Sequence, residues 1–202
     1  MKKITKICVQ EKNKNRCNVY LDDEFAFGLE IKTAYKYGLK VGLEVDENKI
    51  ASMTSEDEIS IAFEKCVKYL SEYSKTEKQL YTYLKNKEYS SKIIFEVINK
   101  LKENAFLDDE RFCKRYIEQK SNIYGRKMLE LKLLQKGVKK EVIAKVFLDD
   151  ETDFSLTATN VLEKYLRNKE INKKNLEKAF RYLISKGFSY EEVKNALSNY
   201  EV

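Results

Sequence analysis

Arg111, Lys114 and Arg115 stand close together, and Tyr124-Gly125-Arg126-Lys127 follows shortly after. Arg111 and Arg115 are four residues apart, so on a helix they share a face. The chain has six arginines, and three of them fall between residues 106 and 150. That segment holds 11 basic and 8 acidic side chains, or +3 of a total net charge of +6. A guanidinium fork suits carboxylates and phosphates alike. Two readings stand: a surface for an anionic partner, or a solvated helix face answered by carboxylates such as Glu118. The local excess of charge favours the partner surface.

Gly125 precedes an apolar-periodic run, with Arg126 and Lys127 in what would be its first turn. A helix start of that kind offers free N–H groups together with positive charge, which suits an anion. It also reverses the usual preference for acids at helix N-termini, although a plain loop glycine reads equally well. Arg181 adds charge further on, while Lys139-Lys140 and Lys173-Lys174 read as solvated surface. Asp108-Asp109 reads as an N-cap with a dipole-complementing neighbour rather than a metal site. Tyr69, Tyr116 and Tyr165 fall at helix-periodic positions and are expected in the core. Tyr73, Tyr81 and Tyr124 are less clearly buried and could meet a base or a protein.

Catalysis has little to work with. Histidine is absent, and there is no phosphate-binding glycine loop, nucleophile elbow or clustered ligand set, so neither enzyme activity nor a metal or cofactor is expected. Cys8, Cys17, Cys66 and Cys113 are scattered and read as free thiols in a reducing compartment. No run of apolar residues is long enough to span a membrane, and no signal-peptide core follows Met1, which predicts a soluble, cytoplasmic protein.

These residues must be positioned by repeated elements. Leu84-x-x-Lys87-Glu88-Tyr89, Leu133-x-x-Lys136-Gly137-Val138 and Leu183-x-x-Lys186-Gly187-Phe188 share one pattern. Leu80, Leu129 and Ala179 precede the three leucines by four residues. Ile94, Ile143 and Val193 follow them by ten, and Ile98, Phe147 and Leu197 by fourteen. A period of roughly 50 residues indicates stacked supersecondary units. Gly137 and Gly187 fit a Schellman stop, with the leucine at C3 and the following apolar residue at C″. Glu88 at the equivalent place predicts a different stop, because a left-handed non-glycine residue costs about 1 kcal/mol. Ser55-x-x-Glu58, Ser74-x-x-Glu77 and Ser189-x-x-Glu192 read as capping boxes.

The absence of proline and the 6 glycines favour helix. Only the first part looks β-rich. Ile4, Ile7 and Val9, then Cys17, Val19 and Leu21, then Phe25, Phe27 and Leu29 predict a three-strand antiparallel meander turning at Asp22-Asp23-Glu24. Helices near Glu30–Tyr37 and Asp46–Met53 would cover it. The expected fold is mainly α. Three tandem three-helix, helix-turn-helix-like repeats (55–105, 106–150, 151–202) form an elongated curved array. A small β-containing domain (1–53) precedes them.

Phe106-Leu107-Asp108-Asp109-Glu110-Arg111-Phe112 with Tyr116, Gly125-Arg126 ahead of Leu129, Leu133 and Lys136-Gly137, and the closing Gly187-Phe188-Ser189 resemble the RecX family, regulators of the RecA recombinase. The resemblance covers about residues 60 to 200. Asn18-Val19-Tyr20-Leu21-Asp22 and Phe25-Ala26-Phe27-Gly28-Leu29 resemble the N-terminal extension of some members. It implies a non-enzymatic monomer that lies in the groove of the RecA–single-stranded-DNA filament and dampens ATPase and strand exchange. Arg111, Lys114, Arg115, Tyr124, Arg126, Lys127 and Arg181 are the contacts expected from residue type and position. The alternative is an autonomous DNA-binding protein using one helix-turn-helix pair. The helices expected at Ser91–Asn104, Lys140–Leu148 and Ser189–Asn199 carry no arginine, which counts against it.

Overall fold

The structure, a computed structural model, describes residues 1–200. Four strands, β1 (Lys2–Val9), β2 (Arg16–Leu21), β3 (Glu24–Glu30) and β4 (Glu44–Val45), accompany ten helices among the described residues. The helices are α1 (Ile31–Lys36), α2 (Glu47–Glu72), α3 (Glu77–Asn86), α4 (Ser91–Glu103), α5 (Asp109–Lys120), α6 (Arg126–Gln135), α7 (Lys140–Leu148), α8 (Phe154–Leu166), α9 (Lys173–Ser185) and α10 (Tyr190–Leu197). A 3-10 turn, Ser198–Tyr200, follows α10. The chain forms two compact units. One holds Met1–Tyr73 with Tyr83–Phe106, and the other holds Ser74–Thr82 with the chain from Leu107 onward.

In the first unit the meander is as expected. The short β4 extends it to an antiparallel sheet of order β3-β2-β1-β4. Asp22 and Asp23 both have positive φ (49° and 69°), the conformation a tight two-residue hairpin demands. Ile4, Val19, Leu21, Leu29 and Val45 form the buried face, and Ala34 of α1 and Met53 of α2 cover it. A buried ion pair pins the sheet to α2. Arg16 meets Asp57 at 3.2 Å, and the other Asp57 oxygen accepts the Glu30 N–H at 2.7 Å.

The helix start expected at Ser55 does not exist. One helix of 26 residues runs through that position, capped by Asp46, whose carboxylate accepts the Lys49 N–H at 2.7 Å. No glycine or proline interrupts residues 47–72, and a capped helix continues until something stops it. The separation expected between residues 53 and 55 therefore falls inside α2. This helix covers the sheet with its first half and opens the first three-helix trio with its second, where Ala62 and Cys66 are fully buried.

Leu84, Leu133 and Leu183, the three repeat leucines, are all 0% exposed. In the second unit each trio has its own core. Phe112, Ile117, Leu129, Leu133, Ile143 and Phe147 pack in one, and Leu162, Leu166, Leu183, Phe188 and Val193 in the other. The stops at Gly137 and Gly187 (both φ 89°) are Schellman motifs. The Val138 N–H bonds the Leu133 carbonyl at 3.1 Å, and the Phe188 N–H bonds that of Leu183 at 3.3 Å.

Glu88 does not use a different geometry. It is left-handed (φ 65°), and the Tyr89 N–H reaches the Leu84 carbonyl at 3.3 Å. Ala105 (φ 56°) ends α4 in the same way, with Phe106 N–H to Leu101 carbonyl at 2.8 Å. Tertiary closure of the last turn outweighs a local cost of about 1 kcal/mol at both sites.

Of the three capping boxes only Ser189–Glu192 forms, with both reciprocal bonds present. The box expected at Ser74–Glu77 lies two residues downstream. Thr76 and Gln79 exchange the pair, at 3.1 Å and 3.3 Å. Thr76 is fully buried, and its hydroxyl also donates to the Lys136 carbonyl at 2.7 Å. A buried threonine with a second partner out-competes an exposed serine for the cap.

Candidate nucleic-acid interface

Asp108 caps α5 as expected, its carboxylate accepting the Arg111 N–H at 2.9 Å. Helix α5 then presents Arg111, Lys114 and Arg115 on exposed positions. Glu110, one turn before Lys114, accepts from it at 3.2 Å and from Lys145 of α7 at 2.7 Å. Bonds from Lys145 and then Lys114 hold the Glu110 carboxyl below the usual range. Lys114 is thus answered on the N-terminal side, by Glu110, rather than by Glu118.

The other expected contacts lie on α6 and α9. Arg126 pairs with Glu130 at 2.9 Å, and its guanidinium lies 4.8 Å from the Phe147 ring centroid. Arg181 pairs with Glu177 at 3.6 Å, both side chains being largely exposed. Lys127 is exposed in the first turn of α6. These arginines are surface groups already engaged with carboxylates, and exposed pairs of this kind are worth about 0–1 kcal/mol, so a partner can displace them.

Of the two readings of the start of α6, the anion site is not open. Gly125 is buried, its N–H donates to the Lys186 carbonyl at 3.0 Å, and the Lys127 N–H donates to the Gly187 carbonyl at 3.2 Å. The carbonyl end of α9 occupies the place of the anion. The negative end of one helix dipole faces the positive end of the next. This accounts for Arg126 and Lys127 where acids are usual, since the N-terminus is already complemented. Close approach requires both glycines: a Cβ on Gly125 would stand 2.5 Å from the Gly187 carbonyl. The start of α3 also meets the end of α6, there through a side chain, the Thr76 hydroxyl donating to the Lys136 carbonyl.

A different basic feature emerges on the second unit. Lys136 Nζ lies 5.3 Å from the Tyr116 ring, and Lys132 and Lys186 lie 4.8 Å and 5.3 Å from that of Tyr124. Lys186 also lies 5.1 Å from Tyr182, which stacks on Tyr165 at 4.5 Å between centroids, and Lys169 sits 3.0 Å from the Tyr165 ring. Burial first, and Tyr124 second, pushes the Tyr116 phenol above its ordinary value, and Lys132 and Lys136, one turn apart at the end of α6, link the two ring sites. The result is a continuous strip of lysines and tyrosines drawn from α5, α6, α8 and α9. Tyr116 and Tyr165 are half-buried and pack against the cores of their trios, as expected, while a lysine lies over each ring. Tyr124 is the one expected contact that belongs to it. Sequence reasoning missed the strip because its members are spread from residue 116 to 186, and only the docking of α6 on α9 brings them together.

Comparison with known proteins decides the family. Models of the Regulatory protein RecX N-terminal domain, the RecX first three-helix domain and the RecX second three-helix domain match residues 2–46, 62–101 and 108–146. The chain is 37% identical over 201 residues to the Regulatory protein RecX of Clostridium tetani, covering 97% of this chain and 93% of that one. The chain belongs to the RecX family. A RecX of Bacillus subtilis is 32% identical over 206 residues, covering 98% of this chain and 77% of the relative. A crystal structure of regulatory protein RecX superposes with a TM-score of 0.75 at 26% identity, over 96% of this chain and 98% of that one. RecX from Lactobacillus salivarius shares the fold, with a TM-score of 0.64 at 22% identity over 72% of this chain and 97% of that one. The Clostridium tetani and Bacillus subtilis relatives are both named Regulatory protein RecX. No helix among the described residues is long and apolar enough to cross a membrane.

Proposed function

We propose that this chain is a non-enzymatic regulator that binds the RecA–single-stranded-DNA filament as a monomer in the cytoplasm and inhibits its ATPase and strand exchange. The observation that carries this reading is near full-length similarity to proteins named Regulatory protein RecX. Its surface chemistry supports it. Arg111 and Arg115 on α5, with Lys114, Arg126, Lys127 and Arg181, offer exposed cations to a polyanionic assembly. Weak contacts spread over several repeats sum through multivalency. Occupancy of the filament groove would then exclude a second DNA strand and slow subunit turnover.

The test is the ATPase of a RecA–single-stranded-DNA filament titrated with this protein. Inhibition that saturates with binding is expected. An unchanged rate at verified saturation refutes inhibition. Arg111→Glu with Arg115→Glu is expected to weaken filament association at least tenfold without unfolding the chain. Wild-type association of a folded double variant removes α5 from the contact surface.

A further inference from the structure

The strip running from Lys136 to Lys169 differs from the ion-paired basic groups of the second unit in one respect. Lys114, Lys145, Arg126 and Arg181 each touch a glutamate. Lys132, Lys136, Lys169 and Lys186 each lie over a tyrosine ring, and none of the four has a carboxylate within 4 Å among the described residues. Lysines near helix C-termini are favoured by the dipole alone, which accounts for Lys132 in the last turn of α6 and for Lys136 and Lys186 at the caps. Lys169 likewise follows the end of α8, its N–H bonding the Leu166 carbonyl at 2.8 Å, but the dipole does not account for the tyrosine ring beneath each lysine.

We propose that this Lys–Tyr strip binds the phosphodiester backbone of a nucleic-acid strand through ring-mounted lysines, without reading its bases. The inference deepens the proposed nucleic-acid-facing role and rests on it. A lysine in water is flexible and strongly hydrated. Here cation–π contact holds each ammonium over a ring, and each keeps hydrogen-bond donors for a phosphate oxygen. Aromatic residues in single-strand-binding surfaces ordinarily stack bases. In this strip Tyr165 has Tyr182 and Lys169 against its ring, and Tyr124 lies beneath two lysines. The rings therefore serve as pedestals. Recognition by charge alone is blind to sequence and steep in salt.

The test uses the full-length chain and fluorescein-labelled single strands of about 30 nucleotides, one all-thymine and one abasic, with anisotropy read across a salt series. Both strands are expected to bind with similar affinity. Replacing Lys132, Lys136 and Lys186 by Gln removes three phosphate contacts. At about 0.7 per contact for single strands, the log–log salt slope falls by roughly 2, and affinity at 0.1 M salt falls about 100-fold. Lys145→Gln, whose ammonium is bound by Glu110, leaves the slope unchanged. Tyr124→Phe retains binding, while Tyr124→Leu loses several-fold with the slope intact.

Circular dichroism checks that each variant is folded. A folded triple variant with the wild-type slope overturns the proposal, as does strong preference for the thymine strand over the abasic one. A triple variant that binds both strands normally but no longer regulates the filament also overturns it, and assigns the strip to an acidic protein surface instead. No recombinase is present in the anisotropy arm, so its failure leaves filament regulation to be judged on ATPase alone.

Discussion

Replacing Gly187 with alanine tests whether the repeats are locked by helix-end docking or merely by their cores. The new Cβ would stand 2.3 Å from the Met128 amide nitrogen and 2.9 Å from its Cα. Those are backbone atoms, so no rotamer change relieves the contact. Three contributions add. A left-handed alanine costs about 1–2 kcal/mol. Forcing a methyl group into a packed contact costs about 1–3 kcal/mol. Retreat of α6 strains the bonds from Gly125 and Lys127 to the end of α9, at about 1 kcal/mol each when lost. The expected loss is about 4–7 kcal/mol. Gly137→Ala is the graded comparison. Its neighbour is the side chain of Lys78, which can partly swing away, so its cost falls below that of Gly187→Ala. Glu88→Gly is the control, relieving strain without disturbing a docked helix and staying within about 1 kcal/mol of the parent. Urea unfolding by circular dichroism, at unchanged m-value, measures all three. Amide exchange in α6 and α9 assigns the effect to the second unit. A Gly187→Ala loss no larger than the 1–2 kcal/mol of left-handed strain would refute tight docking.

Two further outcomes follow from burial. Asp57→Ala leaves the Glu30 N–H unbonded and Arg16 without its partner, so it should cost about 3 kcal/mol in urea unfolding. A loss under about 1 kcal/mol would show that the sheet is held to α2 by apolar contact alone. Burial raises the Cys66 thiol to about 11 and, with Asp109 and Glu110 adding to it, the Cys113 thiol to about 12. Cys17 is also raised, chiefly by burial. A raised value means less thiolate at a given pH, and the thiolate is the reactive form. A thiol reagent at pH 8 should therefore modify half-buried Cys8 first and the other three only on unfolding. Rapid native reaction of Cys113 contradicts the burial described for it.

The repeat was legible because its signals are local. Leucine four residues before a left-handed position, a glycine there, and an apolar residue after it spell out a stop that needs no knowledge of the partner helix. The meander was legible for the same reason, from alternation at Cys17–Leu21 and the Asp22-Asp23 turn. Three things were not. The unbroken α2 failed because Ser55–Glu58 has the composition of a cap, but a cap forms only where a helix has already stopped. The shift from Ser74 to Thr76 depends on a carbonyl sixty residues away in sequence. Residue types announced the charged patches, whereas the Lys–Tyr strip needs coordinates, because a lysine over a ring and a lysine in solvent look identical in sequence.

Docking also explains which stops carry glycine. Left-handed geometry alone does not demand it, since Glu88 and Ala105 adopt φ values of 65° and 56°. Gly137 and Gly187 differ in having a helix start laid against them, Lys78 on one and Met128 on the other. No N–H among the described residues bonds the carbonyls of Lys87 or Glu88. The converse holds at helix starts. The N-termini of α3 and α6 bond the carbonyl end of another helix, through Thr76 and Gly125. The start of α9 instead relies on its own cap, Asn172, which accepts the Asn175 N–H at 3.0 Å. The starts of α3 and α6 are thus completed by another helix end, and that of α9 by its own cap, although α3 also carries the Thr76–Gln79 box. A glycine stop followed by an apolar residue marks a helix end that another start will cover. By that rule α3, α6 and α9 form a head-to-tail series. Its order is written in which residue occupies each cap, independently of the apolar periodicity that builds the cores.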